Sequence, residues 1–156
     1  MKIHPFVRYT LPLLMWLSLM FSASSDAGSS AHTRPLVQSL LRRFLPSVAH
    51  QLPSDLVDRI DFNLRKSAHV TEYLLLAILA YRAIRGSSSH FRNRQVLFPM
   101  VLGIVFAISD EWHQSFVPSR WAVAADVVYD SFGVTLGTLL CQWRAQQQRE
   151  KKQKSS

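Results

Sequence analysis

Arg65-Lys66-Ser67-Ala68-His69-Val70-Thr71-Glu72-Tyr73 leads straight into an apolar block, and another apolar block ends on Asp110-Glu111-Trp112-His113-Gln114-Ser115-Phe116-Val117-Pro118-Ser119-Arg120. Hydrocarbon offers no water to solvate a charge, so ionisable residues at the mouth of a hydrophobic helix mark a site unless they neutralise one another. A later segment adds two more carboxylates, Asp126 and Asp130.

Around these runs, the apolar residues of the 156-residue chain gather at 6–23, 68–84, 96–108 and 121–143. Crossing the hydrocarbon layer takes about 20 residues. The first and fourth blocks approach that length unaided, and the second and third reach it once their polar ends are counted. The expected fold is therefore all-α, a four-helix transmembrane bundle with an extracytoplasmic amphipathic helical loop, in one domain over residues 1–156. Spans are expected near 6–25, 66–85, 95–112 and 121–143, followed by a basic cytoplasmic tail at 144–156. The first block has a second reading. Lys2 and Arg8, an apolar core and then Ser-Ala-Ser-Ser-Asp-Ala also fit a secretory signal peptide cleaved near Ala23 or Ala27. An uncleaved helix is favoured, because so small a bundle depends on the surface of each member.

The formal net charge of +8 does not point to nucleic acid, because the cations are segregated. Lys2, Arg8, Arg82, Arg85, Arg92, Arg94, Arg144, Arg149, Lys151, Lys152 and Lys154 all fall on one side of a four-span chain, opposed there by Glu150. Basic loops stay in the cytoplasm. Both termini are thus expected inside an inner (cytoplasmic) membrane, with the tail 149–154 either near anionic head groups or disordered. Cys141, the single cysteine, carries no disulfide information.

Between the first two blocks, Leu36, Leu40, Leu41, Phe44, Leu45 and Val48 recur at helical spacing opposite Gln38, Arg42 and Arg43, with a helix start expected at Thr33 and Pro35. Such a helix lies on the outer membrane surface, covers the mouth of the bundle, or is an ordinary packing helix. Ser54-Asp55 restarts the helix after Pro53, and its stripe of Leu56, Ile60 and Leu64 runs into the second span.

Helical phase gathers the polar residues. Lys66, His69 and Tyr73 share one face, flanked by Glu72, and Asp110, His113 and Gln114 share another. Asp126, Asp130, Gly133 and Gly137 fall at i, i+4, i+7 and i+11, with Gly133-x-x-x-Gly137 suited to close approach by a neighbouring helix. In the four-span topology the second span begins outside, the third ends outside and the fourth begins outside. One outward-facing pocket is then expected to hold Lys66, His69, Glu72, Tyr73, Asp110, Glu111, Gln114, Arg120, Asp126 and Asp130, with Ser22, Ser24 and Ser25 at its edge.

Lys66 and Arg120 suit a phosphate or carboxylate, and a carboxylate from Glu72 or Asp110 would orient His69 as a base. The catalytic candidates are His69, Glu72, Asp110 and Glu111. The substrate-binding candidates are Lys66, Tyr73, Gln114, Arg120, Asp126 and Asp130. A purely structural reading pairs Lys66 with Asp126 and Arg120 with Glu111. His69, Glu72, Asp110, Glu111 and His113 also carry donors for a divalent metal, but the neighbouring cations reduce the need for one, and no cofactor is assigned.

At these residues the chain resembles the VanZ-like family of bacterial membrane proteins. The likeness rests on Arg65-Lys66-Ser67-Ala68-His69 with Glu72-Tyr73, on Asp110-Glu111-x-x-Gln114-x-Phe116-x-x-x-Arg120, and on Asp126, Asp130, Gly133 and Gly137. It reaches weakly to Phe21-Ser22-Ala23-Ser24, and Ser119 departs from the small residue, often Gly, that precedes the arginine. The resemblance implies a four-helix cell-envelope protein. The family's namesake is associated with low-level teicoplanin resistance, and the family looks similar to membrane enzymes that remodel lipid head groups. It thus implies a lipid-linked or phosphate-bearing envelope substrate, by catalysis or by non-catalytic binding of a lipid or antibiotic. Whether the protein forms a homo-oligomer stays open.

Overall fold

The computed structural model describes residues 4–24, 29–49, 51–86, 94–118 and 123–155, with the side chain of Val48 excepted. Every regular element among them is helical. Helix α1 begins with a π-turn, Phe6–Thr10, and continues as Leu11–Ala23. Pro12 lacks the N–H that a tight α-turn would use here, and the wider turn closes instead through the Leu11 N–H to the Phe6 carbonyl. Then follow α2 (Ser30–Phe44), a single turn α3 (Pro46–Ala49), α4 (Ser54–Gly86), α5 (Leu97–Gln114) and α6 (Ala124–Lys154).

Contacts between named residues fix how the long helices run. Lys66 pairs with Asp126 and His69 meets Asp130. Further along, Gly133 lies against Val70 and Gly137 against Leu74. Numbers rise together on both helices, so α4 and α6 are parallel. Between α5 and α6 they run in opposite senses, from Gly103 against Val134 to Glu111 against Val123. Helix α1 is antiparallel to α4, with Tyr9 against Gly86 at one end and Trp16 donating to the Glu72 carbonyl further up. The bundle is up-down-up-down. The last turn of α1, the middle of α4, the last turn of α5 and the first turns of α6 all lie at one end.

The α4–α6 seam has almost no side chain in it. A Cβ on Gly133 would strike the Val70 carbonyl oxygen, and one on Gly137 would sit 2.5 Å from that of Leu74. Close backbone approach of this kind is how helices associate where no water drives them together. Leu76, Ala77, Ala80, Ala107 and Val134 fill the centre with small and medium side chains.

The outside of the bundle is apolar. On α5, Leu97, Val101, Val105, Ile108 and Trp112 form one exposed stripe, and on α6 Val128, Phe132, Leu136, Leu139 and Trp143 form another. Inside lie Asp110, Glu111, Gln114, Asp126, Asp130 and Thr138. Among the described helices, Phe6–Ala23 and Ala124–Lys154 are long and apolar enough to cross a membrane.

Two local expectations change. Helix α2 starts at Ser30 rather than at Thr33, because the buried Ser29 already receives the His32 and Thr33 N–H groups on its carbonyl and its hydroxyl meets His32 Nδ1 at 3.1 Å. The basic tail, read as a juxtamembrane or disordered segment, continues α6 as helix to Lys154. Ala145, Gln146, Gln147, Gln148 and Lys152 are good helix formers, and Glu150 stands four residues before Lys154. The stripe that starts at Ser54-Asp55 does run on into the next block, since residues 54–64 are the first third of α4, whose 33 residues reach about 50 Å.

Candidate functional site

The end of α4 that projects beyond the seam carries the polar run. The Lys66 ammonium pairs with the Asp126 carboxylate across the α4–α6 contact, flanked by the rings of Phe62 at 5.1 Å and Tyr129 at 5.6 Å. One turn deeper, Nδ1 of His69 lies 3.3 Å from Oδ1 of Asp130. That separation suits an ion pair but misses hydrogen-bond alignment, and among the described residues neither Asp130 oxygen has a hydrogen-bond donor although the residue is fully buried. Glu72 and Asp110 were the carboxylates expected to orient this imidazole. The carboxylate that meets Nδ1 is Asp130, because the parallel register brings its turn of α6 level with His69.

The α5 residues take different partners. Gln114 donates through Nε2 to Asp110 Oδ2 at 2.8 Å and to the Ser24 hydroxyl at 3.2 Å, which ties α5 to the last residue described in α1. Glu111 Oε2 accepts the Val123 N–H at 2.8 Å and so caps the start of α6 from outside. A carboxylate there completes one of the donors a helix leaves open at its N-terminus. Tyr73 is buried beside Phe106, ring centroids 6.3 Å apart, and its hydroxyl has no hydrogen-bond partner among the described residues. His113 turns to α1 and stacks on Phe21 at 4.6 Å.

Met20, Ser24, Thr33, Arg65, His69 and Glu72 line a cavity of about 220 Å³ between α1, α2 and α4. His69 reaches both this cavity and Asp130, and so joins the open space to the buried carboxylates. Arg65 bonds to buried Asp61, 3.1 Å away, and helix α2 is held over the cavity by the Arg34–Asp58 ion pair, 2.5 Å long. The positions of Arg65 and Thr33 were not foreseen. Arg65 stands within the quoted polar run, and Asp61 four residues earlier was the signal that it would be held in place.

The structure thus gathers Lys66, His69, Glu72, Tyr73, Asp110, Glu111, Gln114, Asp126 and Asp130 at one end of the bundle. Arg120, Ser119 and Ser25 lie outside the described residues. Among those described, no group of three or more His, Cys, Asp or Glu side chains is arranged to hold a metal ion. Gly133 and Gly137 sit below the site, where they set the α4–α6 distance that lets Asp126 and Asp130 reach α4.

No curated protein and no solved structure matches the chain. The family model for VanZ/LLP1 matches residues 8–145, which reaches all four long helices and takes in every site residue described above. The chain belongs to the VanZ/LLP1 family.

Proposed function

We propose that this chain is a four-span membrane protein of the bacterial cell envelope whose outward-facing site acts on a phosphate-bearing or lipid-linked envelope substrate. The exposed apolar stripes on α5 and α6 around an interior of carboxylates are an inside-out arrangement that suits lipid as the solvent. The segregated basic residues set the orientation, with both termini cytoplasmic and α2 on the outer surface, where its exposed Leu36, Leu40 and Phe44 would meet the interface.

The observation that carries a catalytic role is His69, which is held against buried Asp130 while lining the cavity. With Nδ1 turned to Asp130, Nε2 is left to take the proton of an attacking hydroxyl or water, and the carboxylate fixes the tautomer that can do so. Arg65, which lines the same cavity, supplies positive charge for a phosphate, with Lys66 next to it in sequence and Arg120 at the end of the Asp110 motif as further cations. Lipid and envelope-precursor profiles of cells carrying the parent chain, His69→Ala, Asp110→Ala or Arg120→Ala test this reading, with teicoplanin susceptibility read alongside. Loss of the parent's effect at normal protein levels in all three supports it, and an unchanged profile in all three overturns it.

A second reading has its own observation. Lys66 is matched by Asp126 and Glu111 by the Val123 N–H, so much of the polar set is already neutralised internally. That favours a non-catalytic scaffold that binds a lipid or antibiotic, for which the parent chain would leave lipid and precursor profiles as they are in cells lacking it.

A further inference from the structure

On the far side of α4 from the His69 cavity, a groove of about 630 Å³ runs between α4 and α6. Its volume lies within the range of sites that take small ligands, about 300–1,000 Å³. Asn63, Ser67 and Thr71 are one α4 stripe along it, and Val128 and Phe132 are the facing α6 stripe. Lys66 is the charged side chain among its lining residues. The α4 stripe is polar along its length and the facing α6 stripe is apolar along its length. Asn63, Lys66 and Ser67 stand at the end where α6 begins, and Val70 and Phe132 stand further along. The groove therefore has the Lys66 ammonium, paired with Asp126, and hydrogen-bonding groups at one end, and an apolar wall of Val128, Phe132 and Val70 that runs on from it.

The Lys66 ammonium carries three donors, of which one goes to Asp126 Oδ1. The rings of Phe62 and Tyr129 flank it. The wall behind it is open, since Val128 is 67% and Phe132 60% exposed. A soluble phosphate would use the cation and waste the apolar run, whereas a hydrocarbon chain alone would leave the lysine unused. A ligand with an anionic phosphate head and an alkyl tail uses both.

We infer that the α4–α6 groove is a lateral seat for one anionic phospholipid-type molecule, its phosphate at Lys66 and an acyl chain along Val70, Val128 and Phe132. The inference rests on the membrane reading above for the direction of the head group, and it names the substrate or ligand class that would reach the site from the bilayer.

The test is native mass spectrometry of the full chain released from detergent, with phosphatidylglycerol or phosphatidylcholine of the same acyl chains as the probe. One phosphatidylglycerol should be retained at concentrations where phosphatidylcholine is not. Val128→Trp, a surface position that fills the groove without touching an ion pair, should lower retention at least tenfold with helical content unchanged. Lys66→Gln should do the same, and Lys66→Arg should keep it. Equal retention of the two lipids, or phosphatidylglycerol held as well by Val128→Trp as by the parent, overturns the seat. His69→Ala lies outside the groove and should retain the lipid. If it also kept its effect on envelope lipids, the catalytic reading alone would fall.

Discussion

Nδ1 of His69 sits 3.3 Å from Oδ1 of Asp130, on two parallel helices whose separation is set one and two turns deeper by Gly133 and Gly137. The chemistry and the packing of this end of the bundle are therefore one problem. Widening the seam by the thickness of a methyl group takes the carboxylate away from the imidazole.

Gly133→Val tests that link. Its side chain would strike the Val70 carbonyl, a rigid obstacle, and overpacking of this kind costs about 1–3 kcal/mol. The melting temperature in detergent should fall, and the envelope effect should be lost even at temperatures where the variant stays folded. A variant with the parent's melting temperature would show that the helices do not meet as closely as described.

If His69 and Asp130 act as a unit, their substitutions will not add. His69→Ala and Asp130→Asn should each lower turnover by roughly 10²–10⁴, the usual range for general acid–base catalysis, and the double variant by little more than either alone. Multiplicative losses would mean that the two residues work separately.

Lys66 and Asp126 make an opposite prediction for stability. Removing one member leaves the other buried and uncompensated, at a cost of about 3–5 kcal/mol, whereas replacing both by apolar residues of similar size is often neutral or better. Asp126→Leu alone should thus melt well below Lys66→Met/Asp126→Leu. Thermal unfolding of the two variants side by side decides it, and equal melting points would show that the pair contributes no more than its parts.

Glu111 should be felt mainly at the start of α6. Losing the acceptor of the Val123 N–H costs about 1–2 kcal/mol. In Glu111→Ala, hydrogen exchange should speed up over the first turn of α6 and stay unchanged at the α4–α6 seam. Uniform acceleration along α6 would assign Glu111 a wider role.

Orientation has its own check. In a Cys141→Ser background, Ser115→Cys should react with a membrane-impermeant maleimide on intact cells, and Ser155→Cys should react only after lysis. The reverse pattern would invert the whole topology.

Much of this end of the molecule was legible from spacing. Phase alone put Lys66, His69 and Tyr73 on one face of α4, and the polar edges of the apolar blocks were enough to bring α4, α5 and α6 to one level. What spacing could not supply was the partner of each residue. Faces repeat every 3.6 residues, whereas pairing depends on the relative depth of two helices, and that depth is set by where Gly133 and Gly137 come to rest. Asp130 rather than Glu72 or Asp110 meets His69 for this reason. Glu111 is one of the catalytic candidates, and its observed bond to the Val123 N–H could not be read from spacing, because such a bond depends on how a loop returns to the bundle. The helical tail was misjudged on charge, which disfavours folding only where side chains cannot alternate in sign or rest on a helix that is already nucleated.

Among the described residues, helix α1 meets the rest of the bundle through the Trp16 bond to the Glu72 carbonyl, the Gln114 bond to Ser24 and the Phe21–His113 ring contact, and many of its large side chains face outward. The scaffold that carries the acidic residues is the α4–α5–α6 trio, in which α4 and α6 meet backbone to backbone and Val134 of α6 packs on Gly103 of α5. The wall that encloses the His69 cavity is a separable layer laid over it. Enclosure and framework can therefore change independently. Drift in the surface of α1 would retune what the cavity admits while the buried ion pairs beneath it stay as they are, so members of one family could share a chemistry and differ in what they let in.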